Sequence, residues 1–585
     1  MKVALVGAEL EENLGLRYMA SALERDGHQA GIVPFNSARD TASAVSQIAA
    51  LDPEITGLSM VFTNRAREFC GLAEAVRNAG YRGHLIAGGP FASFNCERLL
   101  REFPAFDSVG LSEGEDLLCA MAAGLNDFQR LPGICYRGLD GSIAINPSAG
   151  NPENLDNLAF PKRTTFHSYY EKPIASLLTS RGCWRDCAFC SINAWYLRSG
   201  GKRFRVRGVE NVIAEMKELY HRHGIRIFNI QDDNFFLPNP DKALARFVAL
   251  RAGLEREGVT GIAIAVKARP DSINYESIRV LDDLGLFRVF LGVENASENG
   301  LRNLNRKNTL DEILNALKIL NDFDVHLAYN LLMFEPETSM QDLLINLRFM
   351  ERHIDNPFNF CRAEAYPGTG LEAKLRPEGR LLGDYFGFDY RLRDARCEAF
   401  HQIANYAFFD RNFSDFGLHY FNMQVDFYFQ LLRRFHPEVL TETLRAAVRT
   451  FIKRTNLDTH ECLCRIYDFV AAADPHDQVT IRGFAKEMRE HVDQRSQSLH
   501  VQGERILGWL DEAFQNRGRN AALERPVAAN AGLPSIGCRA LPYRGVEGLE
   551  GIDFFNGAEG PAGGPIPYHV YKRALTEQRA TAGCR

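Results

Sequence analysis

Arg181-Gly-Cys-Trp-Arg-Asp-Cys-Ala-Phe-Cys190 follows an apolar run over 174–179 and sets three thiols, Cys183, Cys187 and Cys190, in a CxxxCxxC spacing. Three close thiolates suit an iron–sulfur cluster or a soft metal ion. A [4Fe–4S] cube takes four ligands, so three cysteines leave one iron open to a substrate or cofactor. Zinc is the first alternative, but a structural zinc site wants a fourth ligand nearby. The next histidines downstream, His221 and His223, lie at the far end of a predicted helix. Buried, unpaired cysteines are the second alternative.

Outward from this stretch the chain repeats βα units. The pattern predicts strands over 174–179, 225–230, 262–266, 289–292, 327–333 and 360–366, with helices over 209–223, 241–257, 275–284, 310–323 and 340–354. Six strands and five intervening helices make an incomplete (β/α)6 barrel, whose active site belongs at the carboxyl ends of the strands. The cysteine loop sits at the first such end. Asp232 and Asp233 follow the second strand, Lys267 and Arg269 the third, and Glu294 the fourth. Asn330 and Glu335 lie near the fifth end, and Tyr366-Pro-Gly-Thr369 closes the sixth.

Residues 1–125 alternate in the same way. Strands are expected over 3–6, 29–34, 55–60, 85–87 and 108–109, and helices over 14–26, 41–51, 66–78, 97–103 and 115–123. This five-fold alternation argues a doubly wound parallel sheet of flavodoxin type, which binds ligands beyond the carboxyl ends of its strands. The loops there are 7–13, 61–65, 88–93 and 110–115, with Gly88, Gly89, Gly110 and Gly114 permitting close backbone approach. A connector over 126–168 contains a small hairpin within 131–145, marked by Leu-Pro-Gly and Asp-Gly turns. The barrel region is set at 169–370. From 371 to 515 the alternation stops and helix-like segments dominate, at 395–409, 423–435, 438–454, 461–472 and 503–514. Aromatics dense between Tyr385 and Phe435 suit either a helical core or a substrate lid over the barrel mouth. Residues 516–585 read as an irregular Gly/Pro-rich tail.

The CxxxCxxC spacing, with Phe189 before the last cysteine, resembles the radical S-adenosylmethionine (SAM) superfamily. The resemblance implies that Cys183, Cys187 and Cys190 hold a [4Fe–4S] cluster whose open iron binds SAM. It implies SAM contacts from Asp232 or Asp233 to the amino group, from Lys267 or Arg269 to the carboxylate, from Glu294 to the ribose, and from Asn330. The first domain resembles the cobalamin-binding domain found ahead of many radical SAM cores. The features that match are Asn13-Leu-Gly-Leu-Arg-Tyr-Met19, Gly88-Gly-Pro90 and Gly110-Leu-Ser-Glu-Gly-Glu115. Asn13, Phe62, Asn64, Arg65, Gly88, Gly89, Ser112, Glu113 and Gly114 are the cobalamin-binding candidates this implies. The Asp-x-His-x-x-Gly pattern that supplies an axial histidine in the wider cobalamin family is missing: 9–15 contains no histidine. Base-off cobalamin without a histidine ligand is therefore expected, with Phe62, Asn64 or Arg65 toward its lower face.

The bulk properties agree with a large soluble enzyme. At 585 residues the chain holds more than two domains. A net charge of −6 and a pI of about 6.2 give no basic footprint for nucleic acid. The thirteen cysteines show no secreted disulfide pattern, the start reads as a strand rather than a signal peptide, and no run of about eighteen apolar residues suggests a membrane span. A cytoplasmic location is expected. The resemblance implies a methyltransferase that acts on an unactivated carbon of a small molecule through an adenosyl radical and methylcobalamin. It also implies an electron donor such as a flavodoxin or ferredoxin. A cyclase or ring-rearranging oxidase using the same cofactors is the first alternative. An RNA or ribosomal methylthiotransferase fits less well: Cys70, Cys96 and Cys119 fall mostly on predicted helices, and a basic RNA-binding tail is lacking. A non-catalytic cobalamin or redox sensor would not need SAM-type loops.

Overall fold

The computed structural model describes residues 1–517 apart from 11, 125, 126, 139, 415 and 416. All but the first two residues of the expected tail lie outside the described residues. Strands Lys2–Gly7, Gln29–Pro34, Ile55–Ser59, His84–Gly88 and Ser108–Gly110 form a parallel sheet in the order second, first, third, fourth, fifth. The alternation within Lys2–Gly7 explains its two-sided burial. Val3 and Leu5 join the core under helices Leu14–Arg25 and Glu115–Ala122, whereas Ala4 and Val6 join the opposite core under Thr41–Leu51, Ala66–Asn78 and Cys96–Glu102. The strand order reverses between the first and third strands, which opens a crevice at their carboxyl ends. The hairpin expected in the connector adds two antiparallel strands, Ile134–Arg137 and Ile143–Ile145, to the edge of this sheet. A short hairpin carries no sequence signal for the strand its outer edge will meet.

The second sheet holds all six expected barrel strands in chain order and parallel: Lys172–Leu177, Ile227–Ile230, Ala263–Ala268, Leu286–Glu294, His326–Phe334 and Phe358–Arg362. A short antiparallel segment, Ser168–Tyr169, flanks the first. Outward residues such as Ile230, Val266, Leu291 and Leu331 pack into the main core with the covering helices. Inward residues near the strand starts, including Ile227, Ala263, Ala265 and Phe287, pack instead with Leu418, Val425 and Phe429 of helix Leu418–Phe435.

That helix packs at the end of the barrel away from the cysteine loop. Arg434 Nε donates to the Ile262 carbonyl at 2.9 Å and Gln430 Nε2 to the Asp324 carbonyl at 2.9 Å, both just before barrel strands. His326 and Asp426, each buried, meet at 2.6 Å. The helix thus plugs the amino-terminal end of the open barrel, opposite the cysteine loop. An incomplete barrel exposes apolar inner positions at that end, and Phe429 and its neighbours cover them. Tyr385 and Phe386 turn away to stack on Phe91 of the first domain. Two expected helices, 438–454 and 461–472, are one helix, Glu442–Ala472, and a second long helix, Gln478–Gln515, packs beside it. No helix among the described residues is long and apolar enough to cross a membrane.

Candidate active site between the two sheets

Cys183, Cys187 and Cys190 lie in one loop at the carboxyl end of the first barrel strand, all unbridged and half-buried. Gly182 enters the loop with φ 83°, where an added Cβ would collide with the Arg203 carbonyl oxygen. Cys190 caps helix Ser191–Ser199. Burial pushes its thiol up to about 12, against the pull of the Ile192 and Asn193 amides. Burial raises the Cys183 thiol as well. Two guanidiniums converge on the third sulfur: Arg306 Nη1 lies 3.2 Å and Arg269 Nη1 3.5 Å from Cys187 Sγ. Desolvated thiols need a metal to hold them as thiolates, and nearby cations favour the same state. Among the described residues no three His, Cys, Asp or Glu side chains close on a single ion. Thiols spread along one loop suit a cube, which takes each ligand on a separate iron, and the residues fit such a cluster.

Around this loop the strand ends supply free acceptors. Glu294 ends the fourth strand with φ 65°, at a break in pairing to the fifth. A left-handed non-glycine residue costs about 1–3 kcal/mol and persists where surroundings impose it. Gly292 makes room: a Cβ there would meet Glu294 Oε1 at 2.9 Å and Arg306 Nη2 at 3.1 Å. Desolvation holds the Glu294 carboxyl above the usual range, with Arg306 and then Arg269 pulling it down. Asp233 is open to solvent yet deeply surrounded, and desolvation pushes it up to about 6 against Lys267. Its Oδ2 accepts the Gly182 amide at 3.1 Å, which leaves its other oxygen available.

The two aspartates thus separate. Asp232 is fully buried and accepts from the Thr179 amide (2.7 Å), Thr179 Oγ1 (2.6 Å) and Ser180 Oγ (2.7 Å). It clamps the strand end and offers nothing to a ligand. Arg269 is committed to Asp271 and Cys187 rather than to an open carboxylate site. Lys267 faces the lumen, 3.3 Å from Gln231. Asn330 is half-buried on the same inner face. Glu335 is buried and accepts from Asn303 and the Glu337 amide, both at 2.9 Å.

At the crevice of the first sheet, three large apolar side chains stand in the open: Leu10 at 72%, Val61 at 40% and Phe62 at 60% exposure. Gly88 has nothing within 4 Å of where a Cβ would lie, and Gly89 takes φ 93°. An exposed apolar rim beside a bare backbone cradle fits a large flat ligand such as a corrin. Asn64 is exposed there too. Arg65 is not free: it pairs with Glu68 at 2.9 Å and lies over the Phe35 and Phe69 rings. Asn13 caps the first helix and donates to the Ala8 carbonyl at 3.0 Å, so it shapes the loop. Ser112 meets Ser148 at 3.4 Å, and Gly114 lets Met19 approach.

The carboxyl edges of the two sheets face the same space. Glu12 accepts the Ser176 amide at 2.6 Å, and Trp195, on the helix after Cys190, donates to Ser93 at 3.2 Å. Glu113 and Glu115 hold Arg181 at 3.1 and 2.7 Å, and Glu113 also holds Arg205. Glu113 is therefore an interdomain anchor. All four side chains are at most 9% exposed. Removing one partner of a buried ion set costs about 3–5 kcal/mol. Arg181→Met is expected to lower stability by that order in a denaturant titration; an unchanged midpoint would show the set to be idle.

Sequence reading missed Arg306, because a lone arginine in a polar loop has no distinguishing signal. It also missed the pairing of Glu113 with Arg181 and Arg205, which sequence separation hides.

Two family models match the chain: the B12 binding domain over residues 3–122 and the radical SAM superfamily over 177–347. An uncharacterised methyltransferase of Pyrococcus horikoshii is 27% identical over 367 residues, covering 61% of this chain and 77% of that protein. The hopanoid C-3 methylase of Methylococcus capsulatus is 25% identical over 395 residues, covering 66% and 71%. The structure of the cobalamin-dependent SAM radical enzyme OxsB with aqua-cobalamin bound superposes with a TM-score of 0.63 at 16% identity, covering 88% of this chain and 81% of that one. That likeness concerns the fold.

Proposed function

Because the chain belongs to the cobalamin-binding radical SAM enzyme family, we propose that it is a methyltransferase acting on an unactivated carbon of a small molecule. The observation that carries this reading is the shared space between the cysteine loop and the apolar crevice of the first sheet. Two relatives whose names describe methyl transfer support it. When bound, the cluster supplies the electron that cleaves SAM to an adenosyl radical, and cobalamin supplies a methyl carrier.

The protein's part is positioning. Cys183, Cys187 and Cys190 hold the cluster, and Arg306 and Arg269 favour the Cys187 thiolate. Asp233, with one oxygen free, suits the SAM ammonium, and Glu294 accepts from ribose hydroxyls. Leu10, Val61 and Phe62 shield the corrin from water, and Gly88 and Gly89 admit it closely. Lys267, Gln231 and Asn330 line the lumen beside the SAM position. A one-electron donor of the flavodoxin or ferredoxin class supplies reducing equivalents.

Anaerobic reactions with methyl-deuterated SAM and candidate small molecules test the proposal. A product carrying the intact labelled methyl group is expected; 5′-deoxyadenosine with only unlabelled, rearranged product would favour the cyclase reading. A second test concerns the lower cobalt face. No histidine stands in the loop over 8–13 or the loop over 60–65. Electron paramagnetic resonance of bound Co(II) cobalamin should lack splitting from an axial nitrogen, whereas a nitrogen-split signal would refute the base-off, histidine-free reading.

A further inference from the structure

The loop between the first two cysteines reaches the surface, where Trp184, Arg185 and Asp186 are each half-buried at its tip. On the lumen side the Gly182 amide meets Asp233, and behind the loop Trp195 ties the helix after Cys190 to the first domain. The tip lies on neither side. It is bordered instead by the turn over 304–307: the Ala188 amide donates to the Leu304 carbonyl at 2.9 Å, and Asn305 Nδ2 to the Asp186 carbonyl at 2.7 Å. Asn305 and Lys307 take φ 52° and 54° in that turn. A lysine rarely adopts the left-handed region, and backbone held there is often tied to function. Here the turn sets the Lys307 ammonium 2.9 Å from Asp186, with the lysine side chain still 49% exposed.

The charge at this rim is opposite in sign to that of the whole chain, which carries −6. Residues 183–187 carry or contact five cations: Arg185, Arg203, Arg269, Arg306 and Lys307. Two carboxylates oppose them. Asp271 is only 5% exposed and already holds both Arg185 and Arg269, and Asp186 holds Lys307. Arg203 donates to the Trp184 carbonyl at 2.9 Å and to Asn193 at 3.2 Å, and it pairs with no carboxylate among the described residues. An excess of one sign on a surface draws in a partner of the other sign and orients its approach.

The same tip leads inward. The Arg185 guanidinium lies 4.3 Å and that of Arg269 5.8 Å from the centre of the Trp184 ring, and Arg269 Nη1 is 3.5 Å from Cys187 Sγ. Packed side chains thus run from the surface to one of the three sulfurs. We propose that this basic rim is the docking surface for an acidic one-electron carrier protein, whose carboxylates face Arg185, Arg203 and Lys307. In that complex one electron leaves the reduced carrier and enters the cluster, with no bond formed or broken. The proposal rests on the radical SAM function in taking Cys183, Cys187 and Cys190 as cluster-loaded.

A reduced acidic flavodoxin is the probe, and dithionite is the small reductant that needs no docking surface. Stopped-flow bleaching of the cluster absorption in the anaerobic, cluster- and cobalamin-loaded enzyme should be fastest with flavodoxin at low salt and slow steeply as salt is added. Lys307→Glu should lower that rate about ten-fold and weaken calorimetric binding of oxidised flavodoxin by a similar factor. Lys318→Glu changes the net charge equally but lies on helix Leu310–Asp322, and it should leave both unchanged. Arg185→Gln, which introduces no negative charge, should slow flavodoxin in the same direction as Lys307→Glu. Iron content and the extent of reduction by excess dithionite should match wild type in every variant, which separates lost docking from a lost cluster. A flavodoxin rate indifferent to salt, no reduction by flavodoxin of a cluster that dithionite reduces, or equal behaviour of Lys307→Glu and Lys318→Glu would overturn the docking surface. A wild-type enzyme that takes up no cluster would instead overturn the radical SAM function on which the surface depends.

Discussion

Gly182→Ala is expected to cost the protein its cluster while leaving the first domain able to bind cobalamin. Gly182 adopts φ 83°, a region that side chains rarely enter. An added Cβ would run into the Arg203 carbonyl oxygen, which is backbone and cannot swing aside. Gly182 also pairs with Phe204 in the short ladder that closes the loop, and its amide donates to Asp233. Relief therefore requires moving the backbone one residue before Cys183. Iron analysis after anaerobic reconstitution should fall from about four per chain toward zero, as it should when all three cysteines become alanine. Full iron in Gly182→Ala would show that the loop rearranges around the Arg203 carbonyl without losing the cluster.

Arg306→Leu is expected to damage SAM binding more than Glu294→Ala does. Arg306 touches Cys187 Sγ, donates to the Gly292 carbonyl and lies beside Glu294, so one guanidinium joins the cysteine loop to the fourth strand end. Its removal leaves Glu294 desolvated without its principal cation, and the carboxyl pKa then rises further. Loss of one buried charge partner costs about 3–5 kcal/mol. Glu294→Ala leaves Arg306 its bonds to Cys187 Sγ and the Gly292 carbonyl, so the loop stays joined to the strand end, and it should cost about 1–3 kcal/mol of SAM affinity. Calorimetric titration of SAM into the reconstituted variants checks the order. Equal affinities for wild type and Arg306→Leu would remove Arg306 from the site.

Both sheets were legible in the sequence because parallel strands covered on two faces write near-continuous apolar runs between amphipathic helices. The cysteine loop was legible because its spacing is local. The carboxyl-terminal helices were harder for a physical reason. The stretch from Thr455 to Thr459 looks polar enough to end a helix, yet Thr455, Asn456, Asp458 and Thr459 are buried. Asn456 donates to the Ile354 and Asn356 carbonyls at 2.7 Å, and Asp458 pairs with Arg411 at 2.6 Å. Polarity spent on distant partners reads as a break when only neighbours are visible. The same limit explains Asp232 and Asp233. They are adjacent in sequence, and only the fold shows that one clamps Thr179 and Ser180 while the other faces the open site.

Methyl transfer to cobalamin and radical cleavage of SAM are proposed to share one interdomain space. The most direct measurement needs no substrate: incubate the cluster- and cobalamin-loaded enzyme anaerobically with SAM and a strong reductant, and quantify both cleavage products. The expected products are S-adenosylhomocysteine, from methyl transfer to reduced cobalamin, together with 5′-deoxyadenosine, the latter lost when Cys183, Cys187 and Cys190 are replaced by alanine. Formation of 5′-deoxyadenosine without S-adenosylhomocysteine would contradict methyl transfer, and the absence of both from fully loaded enzyme would contradict SAM-dependent chemistry at this site altogether.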